Sequence, residues 1–450
     1  MQNETRRPPS WLTPVLAIVG PAIVMTAGIM GPGSTTSLVL AGAWFRYDLL
    51  WVAVLILPAV VVCLDSGARV GILSGGKGML SVIRDEIHPA LTWCVLLIMV
   101  GLNIYVNMAM VSMLTETSMS VFGYYPPDAS SSAEYLQGYG RAQLVLAWLF
   151  GAAVFILLVT GSHKRVQRML AGLLFFVFIC YTIVAFRGLT ELPAILAGLI
   201  PKIPPDLPIP GTDQKREAYA SIAAVAGGAL APAPILSFSY FTSDDKARIE
   251  DMPRLFWKSV LTLGCLFGVF SVLVLVAGGH ALYPLENHAQ IKTVHEAGRV
   301  LSSALPARLG RLAPKVFALG LFTCALNTMT VVTQLMCYFC LDAFKKDWHY
   351  TRENRGFMGL LAFWVLVPAV LSPLWTFPPL LKMVLLMGVN IVIVPLAVLV
   401  VLYLINKPSL MREHRANLGR NVFLVASLAL SVWLAVAKMP GLIQQLRAAL

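Results

Sequence analysis

The sequence predicts an all-α polytopic membrane protein with eleven transmembrane helices, and three observations support this prediction. Hydrophobic residues make up 58% of the 450 residues and charged residues only 12%, whereas soluble domains have about 25% charged residues. The apolar residues fall in runs of about 20 or more, the length that crosses a bilayer as a helix. The first and sixth runs are interrupted by prolines beside small residues, which end a helix within the run.

The predicted spans are apolar segments separated by mostly short polar connections. In order, they cover residues 13–43 (broken), 49–73, 91–119, 142–160, 167–187, 218–242 (broken), 257–281, 314–341, 357–373, 377–404 and 421–438. They divide into two sets of five, each opening on its broken helix, which is typical of an inverted repeat in a transporter. We therefore expect one transmembrane domain over 1–450, with repeats at about 13–187 and 218–404 and an extra helix at about 421–438.

The charge distribution predicts the orientation. A net charge of +12 could indicate a nucleic-acid partner, but the cations lie in loops between apolar runs, where they favour the anionic cytoplasmic face of a membrane. Placing the N-terminus in the cytoplasm puts most of the 34 Lys and Arg residues on that side. We expect an inner-membrane protein with a cytoplasmic N-terminus, an exterior C-terminus and no nucleic-acid partner.

The two interruptions predict the position of a binding site. The first is Gly31-Pro32-Gly33-Ser34, and we expect one helix to stop near Gly31 and the next, capped by hydroxyl side chains, to restart near Ser34. The second is the stretch 231–234, Ala-Pro-Ala-Pro. Backbone groups freed by a break in hydrocarbon need partners, so each break must face protein, water or a solute. Paired breaks in the two halves of a chain therefore indicate a transporter's substrate site.

Several stretches resemble the Nramp (natural resistance-associated macrophage protein) family of divalent-metal transporters. The first span, residues 20–51, resembles the family's first span, with its GPG start, DPGN break and LLW ending. Residues 68–71 (Ala-Arg-Val-Gly) resemble the family's A-R-L-G segment. Residues 317–321 with 333–334 resemble its eighth span, and residues 227–234 take the place of its M-P-H-N break. The resemblance implies a LeuT-type fold in which helices 1 and 6 are broken.

The departures from the family pattern concern the metal ligands. In metal-transporting members, the resemblance implies that an aspartate and an asparagine of the first break and a methionine and an asparagine of the second surround the ion. Those positions hold Gly31, Ser34, Ala231 and Pro234 in this chain. A divalent cation in low dielectric needs oxygen, nitrogen or sulfur ligands and charge compensation. We therefore expect no metal site and no cofactor.

Half-helix N-termini without an acidic side chain suit an anion. The predicted substrate-binding residues lie at the two breaks or are polar or aromatic residues of spans three, six and eight: Gly31, Pro32, Gly33, Ser34, Thr35, Asn107, Ala231, Ala233, Ser237, Phe238, Asn327 and Gln334. For each kind an ordinary interpretation stays open. The small residues could serve close helix packing, the aromatic residues could pack or face lipid, and the amides could bond one helix to another.

Other ionisable residues inside spans are few. Asp65 and Arg69 are four residues apart and are expected to pair. Glu116, near the outer end of the third span, is interpreted as an interfacial carboxylate, with titration in a vestibule as the alternative. Proton coupling stays open.

The predicted function is secondary-active transport of a small organic anion by a monomer in the lipid bilayer. The family has a divergent branch that lacks the metal ligands and is associated with aromatic 2-oxo acids such as indole-3-pyruvate, and this chain resembles that branch. One alternative is transport of a divalent metal, magnesium or manganese. Another is a receptor-like protein on a transporter scaffold. The sequence has no hydrolytic triad, phosphate loop or metal-catalytic cluster, so we do not expect an enzyme.

Overall fold

The computed structural model describes residues 31–127, 131–160, 163–305, 310–350, 353–375 and 377–449, without the side chains of 163–174 and 440–449. This part of the chain is almost entirely helical. A two-stranded antiparallel hairpin pairs Leu207–Pro208 with Lys215–Arg216 in the connection between the fifth and sixth spans. The predicted all-α class is confirmed apart from this short ladder.

The α-helices are numbered here in chain order. They are α1 (Pro32–Phe45), α2 (Leu50–Leu73), α3 (Met79–Glu86), α4 (Pro89–Val121), α5 (Ala133–Val159), α6 (His163–Arg187), α7 (Leu192–Ala197), α8 (Ala218–Ala229), α9 (Pro232–Asp244), α10 (Met252–Ser259), α11 (Phe267–Ala281), α12 (Val294–Gly298), α13 (Ala313–Ala343), α14 (Arg355–Leu371), α15 (Pro379–Asn406), α16 (Pro408–Met411) and α17 (Leu418–Ala449). A π-helical segment, Val260–Leu266, joins α10 to α11 within one span.

Ten helices in the described part of the chain are long and apolar enough to cross a membrane. They coincide with the second to eleventh predicted spans. The first predicted span contributes α1, the half-helix after its break, while its first half, residues 13–30, lies outside the described residues. The chain is thus a multi-pass membrane protein whose helix order agrees with the predicted LeuT-type arrangement.

One predicted span differs from the structure at its start. The fourth span begins at Ala133 rather than at 142, because Ser132 caps it by accepting a hydrogen bond from the Tyr135 amide. In its described residues, the connection 282–313 between the seventh and eighth spans consists of short turns around α12. Thr293 and Glu296 form a capping box at the start of α12, and a box of this kind fixes a helix start at that point.

Glycines allow α1 to pack closely against α11. A Cβ on Gly42 would lie 2.3 Å from the Leu275 carbonyl oxygen, and one on Gly278 would lie 2.6 Å from the Val39 carbonyl oxygen. Only a residue without a side chain permits such a backbone approach. This packing holds α1 inside the bundle, where all of its residues are buried.

Polar clusters at the two ends of the bundle agree with the predicted alternation of the spans. At one end, Glu191 accepts hydrogen bonds from Arg46 at 2.7 Å and from Tyr47 at 2.9 Å, and its second oxygen lies 3.2 Å from Nδ1 of His280. At the other end, Asp342 accepts hydrogen bonds from Ser81 and Tyr240. The first cluster joins the ends of α1, α6 and α11, and the second joins α3, α9 and the end of α13. The charge distribution predicts that the first end is exterior.

Candidate substrate site between two helix breaks

The first break lies at Gly31. Its backbone is extended (φ −71°, ψ 169°), and α1 begins at Pro32, rather than near Ser34 as expected. Proline favours the first helical position because it has no amide to leave unpaired there. The Ser34 hydroxyl donates to the Gly31 carbonyl at 3.0 Å and the Thr35 amide donates to the same oxygen at 3.2 Å. The expectation that Ser34 or Thr35 caps the helix N-terminus is therefore wrong: no side chain caps it.

The second break lies at Leu230 and Ala231. Leu230 has φ −107° and ψ 85°, Ala231 has φ −99° and ψ 144°, and α9 begins at Pro232. The break is confirmed, but the predicted range 231–234 is too far along the chain, because Pro232 takes the first helical position just as Pro32 does. Pro234 is accordingly helical. Each break thus leaves the N-terminal amides of a half-helix without intrahelical acceptors.

The two breaks lie side by side. A Cβ on Gly228, in the last turn of α8, would lie 3.1 Å from the Cα of Ser34. Gly228, Ala231 and Ala233 are half-buried while Gly31 and Ser34 are buried. Gly31, Pro32, Gly33, Ser34, Ala231 and Ala233 of the predicted site are therefore grouped around one region of the bundle.

Two side chains that the sequence analysis did not single out complete this region. The Thr328 hydroxyl of α13 lies 2.9 Å from where a Cβ on Gly31 would be. The Met387 sulfur of α15 lies 2.8 Å from where a Cβ on Gly33 would be. The signal that the sequence offered for Thr328 was its position directly after the predicted residue Asn327. Met387 had none, because methionine in an apolar helix is usually a packing residue.

The region presents neutral polar atoms. The Thr328 hydroxyl oxygen and the Asn327 side-chain oxygen are buried without a hydrogen-bond partner among the described residues. The Thr35 hydroxyl lies beside the Cys324 thiol of α13. Buried polar atoms that lack a protein partner need water or a ligand. Hydroxyl, amide and thioether groups at the breaks, with half-helix N-termini, form a polar but uncharged site.

The remaining predicted residues lie in different surroundings. Asn107 joins helices: its amide nitrogen donates to the Trp364 carbonyl at 2.9 Å and to the Thr333 hydroxyl at 3.5 Å. Gln334 is half-buried on α13, two turns beyond Asn327. The hydrogen bonds of the Asn107 amide nitrogen therefore agree with the ordinary interpretation, in which this side chain bonds one helix to another.

Ser237 and Phe238 lie along α9, beyond the break. The Ser237 hydroxyl donates to the Pro234 carbonyl within its own helix at 3.2 Å. Phe238 packs against Gly67 of α2 and meets the Phe241 ring edge to face, with ring centroids 6.0 Å apart. Tyr240, further along α9, belongs to the Asp342 cluster at the end of the bundle. The contacts of these aromatic rings therefore agree with the ordinary interpretation, in which they serve packing.

The predicted pair of Asp65 and Arg69 is confirmed, with 2.8 Å between Nε and Oδ2. Arg420 of α17 binds the same carboxylate oxygen at 2.6 Å. The sequence analysis missed Arg420 because its span begins 350 residues later in the chain, and only tertiary packing brings the two together. This cluster fixes α17 against α2 and is separate from the breaks.

A helix that begins at Pro32 inside a multi-pass bundle, beside a second span that is broken at Leu230 and Ala231, defines the class of protein as a membrane transporter. Residues 22–439 match the profile of the family described as "Natural resistance-associated macrophage protein-like". The chain belongs to the Nramp family, as the sequence resemblance indicated.

Relatives and solved structures agree with this assignment. The "Divalent metal cation transporter MntH" of Klebsiella pneumoniae (strain 342) is 25% identical over 363 residues, 80% of this chain and 79% of the relative. The protein of the same name from Erwinia tasmaniensis is 24% identical over 323 residues, 70% of each chain. A single-residue variant of the Eremococcus coleocola manganese transporter superimposes with a TM-score of 0.71 at 16% identity, covering 98% of this chain and 89% of that one. At that identity the structural likeness shows the fold alone.

Proposed function

We propose that this chain is a secondary transporter whose substrate is a small organic anion, with an aromatic 2-oxo acid as the model compound. The observation that supports the proposal is the chemistry of the two breaks. The half-helices α1 and α9 begin there. Pro32, Pro232 and Pro234 have no N–H, so the amides of Gly33 and Ala233 are among the few first-turn donors without an intrahelical acceptor. Gly31 and Ala231 stand where metal-transporting relatives are expected to carry ligands. Unpaired amides at a helix N-terminus attract negative charge. The buried Thr328 hydroxyl next to Gly31 adds a donor.

The second candidate is transport of a divalent metal such as manganese or magnesium. The names of the relatives and of the solved neighbours favour this candidate over the first. Met387 brings a thioether between the breaks, and Cys324 brings a thiol beside Thr35. These soft sulfur donors suit metals such as zinc, whereas manganese and magnesium prefer oxygen ligands. Against it stands the neutral charge of the residues at the breaks, because a dication in low dielectric requires compensating charge.

The deciding experiment measures both substrates on the same preparation. Purified full-length protein is screened by calorimetry against aromatic and aliphatic 2-oxo acids, and in liposomes it is tested for manganese uptake. The proposal expects saturable binding of an organic anion and manganese uptake no greater than in empty liposomes. Loss of anion binding in Ala233→Trp, which fills the space at the second break without adding charge, would locate the site. Saturable manganese uptake without anion binding would establish the second candidate instead.

We further propose the placement of the chain. It lies in the inner membrane as a monomer with a cytoplasmic N-terminus and an exterior C-terminus, as one domain of two five-helix repeats (13–187 and 218–404) and an additional helix at 421–438. The charge bias of the loops supports this orientation. The named relatives are transporters, which agrees with a function that is not enzymatic.

A further inference from the structure

A carboxyl group and an ammonium group are both buried near the end of the bundle predicted to be exterior. Glu116 of α4 and Lys382 of α15 each expose only 1% of their surface. Ser112 precedes Glu116 by one helical turn and lies on the same face of α4. The Lys382 ammonium donates to the Ser112 hydroxyl at 2.8 Å and to the Trp375 carbonyl at 2.5 Å. The acid and the base interact electrostatically, and among the described residues no hydrogen bond joins Glu116 to Ser112 or to Lys382.

The Glu116 carboxyl uses only part of its bonding capacity. One oxygen accepts a hydrogen bond from the Val294 amide at 3.0 Å. The other oxygen is buried and has no partner in the part of the chain that the structure describes. A carboxylate can accept about four hydrogen bonds, and a buried carboxylate without enough of them is costly. The unpartnered oxygen is therefore a position where a proton would be accommodated.

Four other ionisable groups surround this carboxyl. Lys382 of α15 attracts its negative charge, whereas Glu296 of α12 repels it, and Tyr139 of α5 faces it from the third side. His295, next to Val294, contacts the Tyr125 ring, with ring centroids 4.3 Å apart and the ring planes tilted by 53°. Burial lowers the pKa of His295. Any pH response of this region must be separated from that histidine.

Val294, the hydrogen-bond partner of Glu116, belongs to a segment that packs on α13, one of the helices of the substrate region. Val294 opens α12, and Gly298 at its end approaches α13 so closely that a Cβ there would lie 2.5 Å from the Cα of Pro314. The same helix, α13, carries Thr328 beside the first break. A contact path therefore runs from Glu116 through α12 to α13.

We propose that Glu116 is a proton-binding site of this transporter and that protonation releases the segment 293–298 from α4. The proton comes from water at the end of the bundle where Glu116 lies and adds to the unpartnered oxygen. The neutral acid then accepts only a weaker hydrogen bond from Val294, because bonds to ionised acceptors are the stronger ones. Lys382 loses the charge that attracts it. Carboxyl groups inside membrane spans mark proton relays in pumps and transporters.

Hydrogen–deuterium exchange on the full-length protein tests this proposal without any substrate. Exchange of a peptide covering 291–301 is followed from pH 5 to pH 8 and corrected for the intrinsic rate. We expect at least about a tenfold loss of protection at the acid end in the wild type, since hydrogen bonds to charged groups are worth more than neutral ones. Glu116→Gln keeps an oxygen for Val294 but binds no proton, so its protection should not vary with pH. Glu134→Gln, an exposed position at the start of α5, should behave as the wild type does.

Three results would overturn the proposal. The first is a wild type in which the protection of 291–301 does not vary with pH. The second is a Glu116→Gln variant that keeps the wild-type pH dependence, as it would if His295 were responsible. The third is a Lys382→Met variant in which the pH midpoint of the loss of protection is unchanged. In Lys382→Met the midpoint should move to higher pH, because the ammonium no longer favours the carboxylate. This variant also tests the proposal if Glu116→Gln fails to fold. Because no substrate is involved, failure here leaves the proposed substrate untouched.

Discussion

The hydroxyl oxygen of Thr328 lies 2.9 Å from the position that a Cβ on Gly31 would occupy. Neither residue is charged, and the hydroxyl has no other partner among the described residues. The first break is therefore closed from the side of α13 by a group that can donate a hydrogen bond as well as accept one. This relationship makes Gly31 the position where charge and size at the site can be changed separately.

Gly31→Asp should abolish binding of an organic anion. At about 4 Å and an effective dielectric of about 20, two like charges repel by roughly 4 kcal/mol, which corresponds to about a thousandfold loss of affinity. The measurement is calorimetry with the 2-oxo acid that binds the wild type most tightly.

Gly31→Asn is the matched control, because it has nearly the same size without the charge. Both variants require Thr328 to rotate away, so the steric loss is common to them. If Asn weakens binding as much as Asp does, size rather than charge governs the position and the proposed anion site at the first break is wrong.

Gly33→Ala should be destabilising, and Met387→Ala should largely rescue it. An alanine Cβ at residue 33 would lie 2.6 Å from the terminal methyl carbon of Met387, and overpacking of this kind costs about 1–3 kcal/mol. Met387→Ala alone leaves a cavity, so the double variant should lose less than the sum of the single losses, by about 0.5–3 kcal/mol. Thermal unfolding of all three variants in detergent gives the coupling. Strict additivity would mean that Met387 does not occupy the space beside Gly33.

The positions of the breaks show how far the sequence predicts this site. Pro32 and Pro232 indicate both breaks because each stands among small residues, a combination that favours the end of a helix. Proline alone does not end a helix, since Pro58, Pro368 and Pro395 lie inside continuous helices. Pro32 and Pro232 mislead about the exact start, since proline is also the preferred first residue of the next helix. Met387 and Arg420 could not be predicted at all. Each reaches its partner from a distant helix, and that packing depends on backbone approaches that hydropathy does not encode.

Gly227→Ala should destabilise the protein severely, whereas Gly228→Ala should have a modest effect. A Cβ on Gly227 would lie 1.9 Å from the carbonyl oxygen of Met387, a backbone atom that cannot move aside without displacing α15. On Gly228 it would lie 3.1 Å from the Cα of Ser34, which requires a shift of a few tenths of an ångström. The measurement is the yield of folded protein and its unfolding temperature.

Gly101→Ala is the control for these glycine variants. No heavy atom lies within 4 Å of a Cβ at residue 101, on the exposed face of α4. Alanine there should be neutral or stabilising by up to about 1 kcal/mol through its helix propensity. Equal stability of Gly227→Ala and Gly101→Ala would show that α8 does not approach α15 as closely as described.

Tyr240→Phe should weaken the cluster at the end predicted to be cytoplasmic. The Tyr240 hydroxyl donates to the Asp342 carboxylate at 2.6 Å, and hydrogen bonds to charged groups contribute about 1.5–3 kcal/mol. Tyr338→Phe is the control, because its hydroxyl lies 3.4 Å from an Asp244 oxygen, near the limit for a hydrogen bond. Thermal unfolding should show a larger loss for Tyr240→Phe, and an equal loss in both would contradict the assigned role of Asp342.

Asp206 should make the stability of the protein depend on pH at acid values. Its carboxylate accepts hydrogen bonds from the Lys215 ammonium at 2.5 Å and from the Ala218 amide, the first residue of α8, at 3.0 Å. The bond from Lys215 is the main reason that the pKa of Asp206 is lowered. Because the folded pKa lies below the unfolded value of about 3.9, this contribution is present at higher pH. It is lost as the pH falls through the folded pKa.

The measurement compares unfolding temperatures at pH 6 and below pH 4. Asp206→Asn keeps an oxygen for the Ala218 amide but cannot titrate, so it should lose less stability on acidification than the wild type does. Asp213→Asn, at an exposed position in the same hairpin loop, should lose as much stability on acidification as the wild type does. This control accounts for the contribution of the other carboxylates. If Asp206→Asn and Asp213→Asn respond alike, the ionised Asp206 does not stabilise the start of α8, and the hairpin would not hold that half-helix in place beside the breaks.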